Sequence, residues 1–132
     1  NIFFPEPLTL AYSEHLMAQA IQVFPVYVLT GNLILCYNLL FLSTFILSGL
    51  GGYLLVLDLT GNRPAAFVAG LLYGFAPYRV EQLSHLQVLS SQWMPFVLLG
   101  LRRYLHTKRV WPLLGAVVAL VLQNLSCGYF LL

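Results

Sequence analysis

The sequence predicts an all-α, multi-pass transmembrane helical bundle with an interfacial amphipathic helix. Three observations carry this. Of 132 residues, 60% are hydrophobic and only 8% are charged, whereas a soluble domain carries about 25% charged residues to keep its surface wet. The apolar residues fall in long runs broken by short turn signals, and mean hydropathy is +0.84. Finally, four of the six Lys and Arg residues crowd into 102–109. A net charge of +2 is too small to indicate nucleic acid. The expected partners are the lipid bilayer and other helices of the same full-length chain.

Residues 33–57 form the clearest element. They carry no charged side chain, and their main polar interruptions are Asn38, Ser43, Thr44 and Ser48. Such a stretch rises about 37 Å as a helix, enough to cross a hydrocarbon layer of about 30 Å with some tilt. Thr30-Gly31-Asn32 precedes it and Thr60-Gly61-Asn62 follows it. In each, Gly can end one helix in a left-handed cap and Asn can cap the next. Residues 65–76 are apolar and opened by Pro64, but at about 18 Å they are too short to cross alone. Ala66, Gly70 and Gly74 repeat every four residues, a face on which another helix packs closely. Pro77 then bends or ends the helix. Residues 78–92 are polar, 93–101 are a short apolar run containing Pro95, and a third long apolar run begins at Val110. The segment 65–101 is either two passes or a re-entrant hairpin.

The basic loop 102–109 is expected on the cytoplasmic side. Counting back as two passes, the 61–63 turn is also cytoplasmic. Glu6, Glu14, His15, Arg79, Glu81 and His85 then fall on the outer side. The chain divides into an outer-face loop with its interfacial helix, 1–32, and a transmembrane region, 33–132. Asn1 in place of an initiator Met, and an apolar run still open at Leu132, predict a piece of a longer protein. Cys36 and Cys127 lie in apolar runs and read as buried thiols.

Two segments bring ionisable groups to this outer boundary. Ser13 is an expected N-cap, and Glu14 suits the positive end of the helix dipole. At 100° per residue, Glu14, His15, Ala18, Gln19 and Gln22 form one face, and Leu16, Met17, Ala20, Ile21, Val23 and Phe24 the other. That pattern predicts a helix lying in the membrane interface, kinked or ended at Pro25. On a continuous helix through 79–92, Glu81 and His85 share a face with Gln92, and Arg79 points away. A guanidinium at a lipid boundary matches a phosphate, but a polar residue there can also simply snorkel to water. Two histidines and two outer carboxylates could hold a divalent metal, although no tight ligand spacing supports it.

The stretches Asn1-Ile2-Phe3-Phe4-Pro5-Glu6 and Leu10-Ala11-Tyr12-Ser13-Glu14-His15 resemble the outer loop of bacterial multi-pass proteins of the GT-C glycosyltransferase superfamily. Leu59-Thr60-Gly61-Asn62-Arg63, Phe75-Ala76-Pro77-Tyr78-Arg79 and His85-Leu86-Gln87 are similar to the same group. The resemblance covers most of the chain. It implies a bacterial inner-membrane enzyme that moves a sugar from a polyprenyl-phosphate carrier to an acceptor on the outer face. The lipid-linked sugar is then the donor substrate, and no covalently bound cofactor is expected. An acidic residue of the first outer loop serves such enzymes as base. Here Glu14 with His15 is the catalytic candidate, Arg79 with His85 the candidate phosphate site, and Glu81 a supporting group. The family's loop begins just after a first membrane helix, often with an Asp-containing motif, and this chain starts beyond that point.

Two other classes stand beside this one. A transporter or flippase of lipid-linked sugars would place polar groups at mid-membrane, in broken helices. A non-catalytic assembly protein is favoured by the Ala66/Gly70/Gly74 stripe alone.

Overall fold

The computed structural model describes Pro5 and residues 16–127, and every element among them is helical. Five helices have at least twelve residues: α1 (Met17–Thr30), α2 (Leu33–Thr60), α3 (Arg63–Gly74), α6 (Met94–Thr107) and α7 (Val110–Ser126). Two short ones, α4 (Pro77–Glu81) and α5 (Leu86–Leu89), lie between α3 and α6. Glu6, Glu14 and His15 lie outside the described residues, as does the run beyond Cys127.

The two Thr-Gly-Asn turns fold alike, for local reasons. Gly31 and Gly61 take φ 62° and 68°, the left-handed region in which a side chain is disfavoured. The Asn32 and Asn62 side chains accept from the Leu35 and Ala65 backbone N–H at 3.0 and 3.1 Å. Thr30 and Thr60 donate back to the carbonyls of Val26 and Val56. Both helices on either side of each turn are thereby capped without help from the rest of the chain.

Between these turns α2 forms the spine. It is 28 residues long, three residues longer at its end than the apolar run predicts, and it is the one described helix long and apolar enough to cross a membrane. Only 22% of its most apolar window is buried, whereas the core helix of a soluble domain is enclosed. The Ala66/Gly70/Gly74 stripe meets α2, as its spacing predicts. Gly74 and Gly70 lie against Gly49, Gly52 and Tyr53 in antiparallel order. α6 runs parallel to α2, with Pro95 and Phe96 against Gly51 and with Arg102 and Arg103 both bonded to Asp58. α7 returns antiparallel to α6, and Gly100 lets it approach at Pro112 and Ala116. α3 therefore leaves the Thr60 end of α2, reaches only its middle, and α6 comes back to the same end.

Among the described residues the fully enclosed side chains include many polar ones, Gln19, Gln92, Gln123, Thr44, Ser48, Ser90 and Ser126, beside Leu89 and Cys127, while Leu29, Ile34, Val28 and Leu72 stand exposed. Water would penalise such a surface; hydrocarbon would not.

Three sequence expectations are corrected. The first helix begins at Met17, with Leu16 at its cap position and no side-chain cap, rather than behind Ser13. Its polar face does not meet water: Ala18 and Gln19 are buried, and Gln22 donates to Ser43 at 2.7 Å. The carboxamides find partners on α2 and beyond, so the apolar face of Ile21, Phe24 and Val28 is the one left outside. Pro25 sits within the helix, which continues to Thr30. Lastly, Glu81, His85 and Gln92 do not share one helix. α4 ends at Glu81, a turn follows, and α5 ends before Gln92.

Candidate functional site

The site is built around a non-helical segment, Ser90 to Trp93, enclosed between α5 and α6. A buried backbone outside a helix needs partners for its polar groups. Here they come from four directions. Gln123 on α7 donates to the Ser90 carbonyl at 2.8 Å. Tyr73 on α3 donates to the Ser91 carbonyl at 3.0 Å. Gln19 on α1 donates to the Ser90 hydroxyl at 2.8 Å and to the Ser126 carbonyl at 3.0 Å. Arg79 on α4 donates from Nη1 to the Ser91 hydroxyl at 2.8 Å.

Pro77, in the first turn of α4, lacks the N–H that would continue α3. The chain turns there and carries Arg79 inward. Its side chain is 4% exposed. Nη2 donates to the Thr44 carbonyl at 3.0 Å, and the guanidinium lies 5.1 Å from the centre of the Phe45 ring. Phe45 in turn stacks on Phe75, centroids 5.7 Å apart. Thr44 lies about 17 Å from the start of α2 and about 24 Å from its end. Arg79 therefore packs near the middle of the longest apolar helix, where the sequence alone places it at the outer boundary.

The electrostatics at Arg79 are unusual. Guanidinium stays protonated in proteins, and a buried charge normally has a counter-ion. Among the described residues the carboxylate of Asp58 pairs with Arg102 and Arg103, and none meets Arg79. Its Nε donor is buried without a protein acceptor. Nearby polar groups of the same enclosed segment and its supports are also unpartnered: Gln19 Oε1, Gln92 Oε1, Gln123 Oε1 and Trp93 Nε1. A positive donor can hold an anion, and carboxamide acceptors can orient neutral hydroxyls.

The remaining sequence candidates do not join this group. His85 is exposed at the cap position of α5, its Nδ1 3.1 Å from the Ser84 hydroxyl. Glu81 is exposed at the end of α4. Neither appears among the partners of Arg79. No group of three or more His, Cys, Asp and Glu comes together among the described residues. What the sequence reading missed is Gln19, Ser90, Ser91 and Gln123 as one network. The available signal was that each is a polar residue in or beside an apolar run, the same signal that singled out Thr44. Comparison with family models, with curated proteins and with solved structures finds no match to the chain.

Proposed function

We propose that this chain belongs to a multi-pass protein of the bacterial inner membrane that moves a sugar from a polyprenyl-phosphate carrier to an acceptor at the outer face. The observation that carries the reading is Arg79: an enclosed cation, beside a long apolar helix, with no carboxylate partner among the described residues and one donor to spare. A lipid phosphate is an anion carried on a hydrocarbon chain, and it supplies the missing charge. In the transfer step a base removes the acceptor hydroxyl proton, and the oxygen attacks the anomeric carbon. The bond from that carbon to the phosphate oxygen breaks, leaving the carrier phosphate with added charge for Arg79 to stabilise. Glu14, with His15, is the proposed base, an effect worth about 10²–10⁴-fold in rate. His85 and Glu81 are both exposed and carry no part of the phosphate contact in this reading.

One observation favours transport or flipping of lipid-linked sugars instead. Arg79 packs against the middle of α2, next to a broken helical segment, the kind of place where transporters bind substrate. The assembly reading loses its support, because the Ala66/Gly70/Gly74 face is used inside the chain against α2.

The test uses the full-length protein in membrane vesicles with a radiolabelled polyprenyl-phosphate sugar. Label passing to a non-lipid acceptor supports the transferase. Label crossing the bilayer while still on its carrier replaces it with the transporter. Orientation is checked on intact cells, in a background lacking Cys36 and Cys127. Cysteine at Ser84 is expected to react with an impermeant thiol reagent from outside, and cysteine at Thr107 only after permeabilisation. Reaction of both from outside would overturn the topology.

A further inference from the structure

The Thr60 end of the molecule carries a second feature that the transfer reading does not use. Five of the six Lys and Arg residues of the chain gather there, at the start of α3, on the last turns of α6 and in the α6–α7 turn. Among the described residues one carboxylate answers them. Asp58 Oδ2 accepts from Arg102 Nε at 3.1 Å, and Oδ1 accepts from Arg103 Nε at 2.7 Å, so both of its oxygens are committed. Arg63, Lys108 and Arg109 are exposed, and their side chains make no hydrogen bond or ion pair among the described residues. Like charges held on one small surface repel one another, and a partner of opposite sign relieves that cost.

What lies beside these cations identifies the partner. Trp111, two residues past Arg109, is 81% exposed. Leu105 and Val110 are also exposed next to it, and the apolar residues continue down the outside of α7 through Leu114, Val117 and Val118. A nucleic acid or an acidic peptide would answer the charge and leave this aliphatic wall in water. A partner with phosphate above and hydrocarbon beneath answers both, and an exposed indole at the junction is where membrane proteins place tryptophan.

We infer that Arg63, Lys108 and Arg109, with Trp111 below them, form a docking face for the headgroups of anionic phospholipids in one leaflet. The inference rests on the chain spanning a membrane, and it adds a selection among lipids. Each cation near a negatively charged leaflet favours association by about fivefold at moderate salt.

The experiment reads Trp111 directly. Trp93→Phe leaves Trp111 as the reporter within this chain, and because Trp93 Nε1 has no protein acceptor the change removes no hydrogen bond. The full chain, with Trp111 as its only tryptophan, is reconstituted in phosphatidylcholine vesicles containing one-tenth phosphatidylglycerol. Quenching is compared when either lipid carries brominated acyl chains. Expected is quenching several-fold stronger, per molecule, from the brominated phosphatidylglycerol. The preference should fall to about one in the Arg63→Gln, Lys108→Gln, Arg109→Gln variant, with helical circular dichroism confirming that it is folded. Equal quenching by both lipids in the parent overturns the inference while leaving Trp111 in the bilayer, so the membrane reading stands. Absence of quenching by either lipid overturns both. A preference retained in the triple variant also overturns it, since these cations would then not be its source.

Discussion

Arg79→Met is expected to hold or raise thermal stability while lowering sugar transfer about tenfold to a hundredfold. The two halves of this result have separate causes. Burying a cation with no carboxylate partner among the described residues is costly, and replacing buried charge by a well-packed apolar side chain of similar length is often neutral or stabilising. Methionine fills the same space beside Phe45 and can keep a sulfur–aromatic contact. It gives up the bonds to the Ser91 hydroxyl and the Thr44 carbonyl. The hydroxyl can turn to another acceptor, and a carbonyl with one lone pair unused is tolerated. In the proposed transfer, in contrast, the variant loses the one enclosed cation among the described residues, and with it the charge-assisted contact to the departing phosphate. Arg79→Lys should recover part of the rate, because an ammonium supplies charge without the guanidinium's planar fork. The checks are thermal unfolding in detergent and initial transfer rates at equal protein level. Full activity in the folded Met variant would remove Arg79 from the phosphate role. Matched losses of stability and activity would make it a structural residue.

Gly70→Ala and Gly115→Ala make the same chemical change and are expected to act in opposite directions. A Cβ at Gly70 would sit 2.7 Å from the Gly49 carbonyl oxygen and 3.1 Å from the Tyr53 Cβ. The first of these atoms belongs to helix backbone, which cannot turn aside. α2 and α3 must separate, at about 1–3 kcal/mol for overpacking of this kind, and Gly70→Leu should cost more. At Gly115 a Cβ meets nothing within 4 Å, so the substitution gains about 0.8–1 kcal/mol of helix propensity and loses no contact. Unfolding temperatures of the two variants in one detergent decide the matter. If Gly70→Ala melts no lower than the parent, the two helices do not approach as closely as described.

The parts of this fold that could be read from sequence are those fixed by neighbours along the chain. The Thr-Gly-Asn turns, the long apolar α2, the Pro64 start of α3 and the small-residue stripe all depend on residues within one or two turns of each other. Amphipathic pattern failed at α1 for a physical reason. Periodicity shows that Gln19 and Gln22 share a face, but whether that face meets water or protein depends on Ser90, Ser126 and Ser43. Those partners lie as many as 107 residues away. The alignment of Glu81, His85 and Gln92 failed because it assumed a helix through a stretch where the Ser90 and Ser91 carbonyls instead accept from Gln123 and Tyr73 on other helices. Arg79 itself was legible as a cation just beyond Pro77 at the membrane boundary. Its depth was not, since that depends on how far α3 travels along α2.

The support of Ser90 has a consequence for the order in which the chain can be made. α2 and its two flanking turns are complete in their own hydrogen bonds as soon as Arg63 and the first turn of α3 have been synthesised. The enclosed segment is not. The Ser90 carbonyl waits for the side chain of Gln123, which leaves the ribosome 33 residues later, after the basic turn and most of α7. Through that interval a bare carbonyl cannot rest in hydrocarbon without a cost of several kcal/mol. On the proposed multi-pass reading, the half-length hairpin of α3 and α6 is therefore held where water or the insertion machinery can satisfy it, and it settles against α2 only when α7 arrives to close it.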